Sequence, residues 1–281
     1  MTEISAALVK ELREETNVGM MECKRALVET KGDKAAAIKI LRERGVAIAA
    51  KKATRTANQG VIASAIVDGG QAGSLIEVNC ETDFAAKSPG FRAFVQNLAE
   101  KAAVNDIVLA EAAKAEVTAK IAETGENIIA RRALRYALQG SGLVTSYIHH
   151  GSMLGVLLEA GCQQAATTAN PVFLETIKDL CLQVAAANPR FLDRQGVPAD
   201  VIAAERDICA KQVKGKPEAI VDKIVDGKMN KYYEQECLVD QPFIKDPTKT
   251  ITALLKEKGG LAGDILTIRR FARFQVGEAV G

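Results

Sequence analysis

Gly60-Val61-Ile62-Ala63-Ser64-Ala65-Ile66-Val67 and Gly142-Leu143-Val144-Thr145-Ser146-Tyr147-Ile148-His149 are one pattern written twice, at an offset of 82 residues (Gly60 to Gly142). The same offset sets Gly73-Ser74-Leu75-Ile76-Glu77-Val78-Asn79-Cys80 over Gly155-Val156-Leu157-Leu158-Glu159-Ala160-Gly161-Cys162. It then sets Ser88-Pro89-Gly90-Phe91 over Asn170-Pro171-Val172-Phe173. A constant offset over such a stretch marks an internal repeat. Each copy opens with two runs rich in β-branched residues, which read as a hairpin of strands. A loop follows, then Ser88 or Asn170 as a helix N-cap, with Pro89 or Pro171 in the first turn, where its missing N–H removes no hydrogen bond. An apolar hairpin face needs a cover, and the helix supplies it. The repeat therefore predicts an α+β core of two hairpin-plus-helix halves.

Ahead of the repeat, Ile4, Leu8 and Leu12 share a helical stripe that Asn17-Val18-Gly19 breaks. Met20, Cys23 and Leu27 follow at helical spacing. Gly32 ends that segment, and Asp33 caps a third helix that turns Ala37, Ile38 and Leu41 inward and stops at Gly45. Residues 1–55 thus read as a three-helix module, and Lys51 to Thr56 as a charged linker. The core halves span 56–140, and 141–190 with 229–281. Within the second half, Pro198 to Lys214 and Pro217 to Tyr232 read as two helices joined at Gly215-Lys216-Pro217. Ala203, Ile208 and Val213 on one, with Ile220, Ile224 and Val225 on the other, suggest an antiparallel helical hairpin. It has no match in copy one, so residues 191–228 read as an insertion. Gln241 to Ile244 and Thr248 to Leu255 return to the core, and Arg269 to Val276 alternates as a further strand.

Composition narrows the function. The chain has 281 residues, 48% hydrophobic and 26% charged, with a net charge of +2. That balance lacks the concentrated basic surface of a direct nucleic-acid binder. No apolar run reaches the ~18 residues of a membrane span, and Met1-Thr2-Glu3 does not open a signal peptide. A cytoplasmic protein with no membrane partner is expected. The six cysteines form no C-x-x-C pair and both histidines, His149 and His150, are adjacent. No metal site is expected, and the thiols read as reduced and buried. Cys80 or Cys162 with a histidine base is the one nucleophilic arrangement on offer, and no G-x-S-x-G, P-loop or G-x-G-x-x-G is present. The expectation is a non-enzyme with no catalytic residue and no cofactor.

The copies differ most between hairpin and helix. Glu81-Thr82-Asp83-Phe84-Ala85-Ala86-Lys87 stands where copy two has Gln163-Gln164-Ala165-Ala166-Thr167-Thr168-Ala169. The unit needs a surface loop of that length but not an acid and an aromatic in it. Phe84 is either a local staple beneath the sheet, with Asp83 in an Asx turn, or an exposed side chain awaiting a partner.

These residues carry a resemblance. "TDFAAKSPGF", residues 82–91, resembles the T-D-F-V-A-K loop of the bacterial elongation factor Ts family, guanine-nucleotide exchange partners of elongation factor Tu. Residues 8–45 look like that family's N-terminal module, a three-helix fold similar to ubiquitin-associated domains. "SYIHHGSMLGVLLE" resembles its Y-I-H…G-V-L-V-E stretch, and "QPFIKDPTKTITALLK" and "RFQVGE" its closing motifs. Ala85 stands where Val is common, and Met153 where an Arg is usual. The resemblance covers the whole chain and implies a mechanism. Thr82, Asp83, Phe84 and Ala85 would dislocate the partner's Mg²⁺, and Arg13, Met20, Met21 and Lys24 would contact its GTPase domain. Met20 reads equally as core. His149 or His150 would face the partner's phosphate loop. The implied partner is elongation factor Tu, GDP-bound and nucleotide-free, with a homodimer through the hairpin as a further implication. The alternative is a non-catalytic helical adapter that binds another protein through the N-terminal module.

Overall fold

Capping side chains set the helices of the first fifty residues. In a computed structural model, which describes residues 4–213 and 218–279, α1 (Ala6–Thr16) starts at Ser5, whose hydroxyl accepts the Leu8 N–H, and ends at Asn17 in the left-handed region. After α2 (Met20–Glu29), Asp33 accepts the Ala36 N–H to start α3 (Lys34–Lys52). Val9, Leu12, Cys23, Ala26, Leu27, Ala37 and Leu41 close a small core. One expectation fails here: Gly45 does not stop α3, which runs on to Lys52. Of the two readings of Met20, the core one falls, since Met20 lies outside that core. A Cβ at Gly45 would sit 3.3 Å from that of Ala122, so this glycine permits close helix packing rather than a turn. The stretch read as a linker is fastened: Lys52 donates to the Gly125 carbonyl, and the Asn127 amide to the Arg55 carbonyl at 2.7 Å.

The repeat follows as β1 (Gln59–Val67), β2 (Ala72–Cys80), α4 (Asp83–Lys87), α5 (Pro89–Val104), α6 (Leu109–Ala112), α7 (Lys114–Thr124) and β3 (Ile128–Ala137). Copy two runs β4 (Gly142–Ile148), β5 (Leu154–Gly161), a 3₁₀ turn (Ala165–Ala169) and α8 (Pro171–Ala187). After the insertion come α9 (Ala199–Lys211), α10 (Glu218–Glu236), β6 (Pro242–Phe243), β7 (Asp246–Thr250), α11 (Ile251–Ala262) and β8 (Thr267–Gln275). The result is α+β, with sheets ordered β1-β2-β3 and β4-β5-β8 and a small β6-β7 pair. Each copy is therefore larger than a hairpin plus a helix. It closes with a second helix, ended by Gly125 or Gly263 at positive φ, and a third strand. The expected caps hold: Ser88 accepts the Phe91 N–H and Asn170 the Val172 N–H. The copies also open on glycine for a reason. A Cβ would lie 2.5 Å from the Val78 oxygen at Gly60 and 2.0 Å from the Ala160 oxygen at Gly142.

The chain divides into two units, Met1–Ala63 with Ile76–Leu134 and Gln275–Gly281, and Ser64–Leu75 with Arg135–Phe274. In the first unit, Glu77 of β2 is fully buried and takes Arg131 Nη1 at 3.0 Å and Arg132 Nε at 2.7 Å. In the second, Glu159 of β5 is fully buried and takes Arg269 Nη1 at 3.3 Å and Arg270 Nε at 2.7 Å. Also in the second unit, β4 and β5 pair antiparallel, with Gly142 opposite Gly161 and Tyr147 opposite Val156. There the Ser64 hydroxyl donates to that of Ser146, its counterpart one repeat away, at 3.0 Å. Val156, Leu158, Phe173, Leu180, Val184, Ile251 and Leu254 build the second unit's core.

The inserted helices α9 and α10 pack through Cys209, Val225 and Met229, flanked by Ile202, Val221, Tyr232 and Tyr233. Ile208 and Ile220, expected inside, are about half exposed at 48% and 47%, and Ala203 is exposed. The buried stripe passes through Ile202 and Cys209 instead, which turns Ala203 and Ile208 outward. The expected join, Gly215-Lys216-Pro217, lies outside the described residues. The base of the insertion is stitched: Phe191 N–H to the Glu236 carbonyl at 3.0 Å, Leu238 N–H to Phe191 at 2.9 Å, and Val239 N–H to Leu192 at 3.1 Å. We propose that the hairpin is a separable element above this base. Replacing residues 197–232 by a short Gly/Ser link should leave a cooperatively folded chain, because closure entropy changes only slowly with loop length. Thermal melting followed by circular dichroism checks this. Recovery of aggregated chain alone would make the hairpin part of the core.

Candidate partner-binding site

The segment read as a loop is a single helical turn and a half. Thr82 caps α4: its hydroxyl oxygen accepts the Ala85 N–H at 3.2 Å. Asp83 occupies the first turn and Lys87 the last, the arrangement the helix dipole favours, and the two side chains pair at 2.6 Å. The hydrogen bond from Lys87 holds the Asp83 carboxyl below its usual range, so it is ionised at neutral pH. Ala86 is buried, and the Arg92 guanidinium reaches its carbonyl. Phe84, between these anchored neighbours, is 82% exposed. The staple beneath the sheet is excluded, and so is the Asx turn, whose place Thr82 takes. Burying a phenylalanine is worth roughly 1.5–3 kcal/mol, and the protein forgoes that on a fastened surface turn.

Glu126, which sequence reasoning missed, fastens the turn from outside. Its Oε2 accepts the Glu81 and Thr82 N–H groups at 3.1 Å each, and its Oε1 accepts the Thr82 hydroxyl at 2.6 Å. Copy two uses Asp264, which accepts the Gln163 and Gln164 N–H groups at 3.1 and 2.9 Å and the Thr167 hydroxyl at 2.6 Å. Those bonds pull the Asp264 carboxyl down to about 2. The signal lay in the third strands: aligning Arg131-Arg132 with Arg269-Arg270 sets Glu126 over Asp264, each five residues upstream.

The N-terminal residues lie in the same unit. Met20 and Met21 on α2 are 43% and 63% exposed, because Cys23, Ala26 and Leu27 form the inward face. Lys24 lies one turn on and is exposed, as is Arg13 on α1. Among the described residues neither cation makes an ion pair. Two flexible thioethers and two cations are thus left on the surface of this unit.

The histidines belong to the second unit. Both are exposed on the turn joining β4 and β5. His149 is held: its N–H donates to the Leu154 carbonyl, its carbonyl accepts the Ser152 N–H, and its Nδ1 lies 2.9 Å from the Tyr147 hydroxyl. Among the described residues none hydrogen-bonds to the His150 ring. The thiols are shielded. All six cysteines are free and buried, and burial pushes the Cys80 thiol up to about 12 and the Cys162 thiol upward as well. No helix among the described residues is long and apolar enough to cross a membrane.

Residues 81–278 match the family model described as elongation factor TS. Elongation factor Ts of Clostridium perfringens (strain SM101 / Type A) is 43% identical over 290 residues, covering 99% of this chain and 94% of that protein. Elongation factor Ts of Clostridium botulinum (strain Alaska E43 / Type E3) is also 43% identical, with the same coverage. Elongation factor Ts of Clostridium botulinum (strain ATCC 19397 / Type A) is 39% identical over 292 residues, again with 99% and 94% covered.

The exposure of Phe84 makes a stability prediction. Phe84→Ala should change the free energy of unfolding by no more than about 0.5 kcal/mol, the usual range for exposed positions. A buried staple would cost about 3–5 kcal/mol. Urea titration of both proteins measures the difference.

Proposed function

The chain belongs to the elongation factor Ts family and is a translation elongation factor; from that premise we propose that it is the guanine-nucleotide exchange factor of elongation factor Tu. The observation that carries the proposal is Phe84, exposed at 82% on a turn whose other residues are anchored. An exchange factor must bind the nucleotide-free partner better than the GDP-bound one, since equal affinity for both states shifts nothing. The contacts that separate the two states lie at the phosphates and at Mg²⁺, an ion held by few protein ligands and several waters. In this reading Phe84 enters between partner helices on the metal side and gains there the burial it lacks in the free protein. Asp83 brings a carboxylate against the ion's ligand and water network. Thr82 fixes the first turn, and Ala85 leaves room for close approach.

The remaining contacts are proposed on the same footing. Arg13, Met20, Met21 and Lys24 supply a second hold on the GTPase domain, which raises the effective concentration of the wedge. His149, steadied by Tyr147, is the better candidate than His150 for the phosphate-loop side. Both GDP-bound and nucleotide-free elongation factor Tu are partners. The reading needs no covalent step, no cofactor of this chain, no direct nucleic-acid contact and no membrane, and it places the protein in the cytoplasm. Half-exposed Ile208 and Ile220 support a homodimer through the hairpin.

Copy two supplies the control. Grafting its loop residues onto copy one (Thr82→Gln, Asp83→Ala, Phe84→Ala) should lower the rate of fluorescent-GDP release from elongation factor Tu about thirtyfold, the loss of one hot-spot aromatic. Binding to the nucleotide-free partner should persist in part through the N-terminal surface. Undiminished release would sink the wedge and leave the adapter reading. A second pair of variants separates the histidines. His149→Ala should slow release several-fold, while His150→Ala should match the parent; the reverse ranking in the same assay would exchange their roles.

A further inference from the structure

A five-residue helix does not hold its own shape; isolated helices are marginal in water below about 12–15 residues. The direction in which Phe84 projects must therefore be set from outside α4. Glu126 does this through three hydrogen bonds, two from backbone N–H groups and one from the Thr82 hydroxyl. The clasp is reciprocal, because Glu81 Oε1 accepts the Asn127 N–H at 2.6 Å. Each segment thus lends a carboxylate to the other's backbone donors. That bond is the main reason the Glu81 carboxyl is held low. Arg55 joins the same assembly, pairing with Glu81 at 3.4 Å while its carbonyl takes the Asn127 amide. The exit of the N-terminal module and the base of α4 are therefore tied at one place.

Copy two repeats the clasp with an acid one methylene shorter. Asp264 takes two backbone N–H groups and one threonine hydroxyl. Two acids of different length meet one requirement, so the clasp belongs to the repeat. Only in copy one does the clasped segment carry Asp83 and Phe84. We infer that Glu126 is a positioning residue for nucleotide exchange, one that fixes the bearing of Phe84 before the partner is met. The inference rests on the exchange reading of Phe84 and adds what aims it. A displacement of about 1 Å at a working group can cost on the order of a hundredfold in rate, and a tip held in advance has no ordering cost at encounter.

The chain contains no tryptophan, so F84W places a single fluorescent reporter at the tip. In that background E126A is expected to lower the anisotropy of the free protein, and D264A to leave it unchanged. In the wild-type background E126A is expected to slow GDP release at saturating factor by about tenfold or more. Its affinity for nucleotide-free elongation factor Tu should stay within a few-fold, since the N-terminal surface remains. D264A removes the matching bonds from copy two and is expected to exchange at the wild-type rate per folded molecule. Unchanged anisotropy on E126A, or equal slowing by E126A and D264A in proportion to their folded fractions, overturns the inference. If E126A does not fold, E126L, which keeps the bulk but has no acceptor, takes its place with the same expectations. Wild-type protein that fails to accelerate GDP release removes the exchange reading instead, and the anisotropy then decides alone whether Glu126 holds the tip.

Discussion

A carboxylate shut away from water is the constraint on which each half depends. Removing one partner of a buried ion pair typically costs about 3–5 kcal/mol, because the remaining charge has no solvent to turn to. Glu77 lies in β2, where every residue is buried, and its two guanidiniums come from adjacent positions of β3. Glu159 in β5 draws the same two atoms, Nη1 of one arginine and Nε of the next, from β8. A slip of either third strand by one residue would separate at least one arginine from its carboxylate. The register of the third strand is thereby fixed as firmly as side-chain packing fixes that of the first two.

In the first unit the consequences run along the chain. Once β3 is in register, the turn that precedes it has one location, and Glu126 is in that turn. Glu126 then determines where Thr82 sits, and Thr82 starts the helix that bears Phe84. A charge buried in the sheet and an aromatic exposed outside it are thus ends of one sequence of placements. The free protein keeps two features that its own folding does not favour, a desolvated acid and a solvated phenylalanine. The first is compensated within the chain, while the second is left in solvent and, in the exchange reading proposed above, is covered only by the partner.

Much of this is legible from residues. Asp33, Ser88 and Asn170 act as the caps their chemistry suggests, because an N-cap is a local bond between neighbours in sequence. The repeat is legible because its glycines and prolines recur at one constant offset. What escaped depends on contacts far apart in the chain. Gly45 looks like a helix stop until Ala122 is seen against it. Met20 fits a helical stripe, yet the stripe that packs runs through Ala26. β3 hides because its arginines, drawn to Glu77, interrupt the alternation by which strands are recognised. Thr82-Asp83-Phe84 was recognisable as unusual from its mismatch with copy two, but Glu126 could be linked to it only by aligning strands not yet known to exist.

The contact between Ser64 and Ser146 has a further meaning. In an isologous dimer, equivalent residues of two identical chains can meet in this way at the centre of the interface. Here the two counterparts belong to a single chain. In a true symmetric dimer both loops would carry the same residues, and any aromatic at one tip would appear at the other. Covalent fusion of the copies lifts that identity. One loop keeps Asp83 and Phe84 and the other settles for Ala165 and Ala166, so a duplicated scaffold presents a single, directional tool.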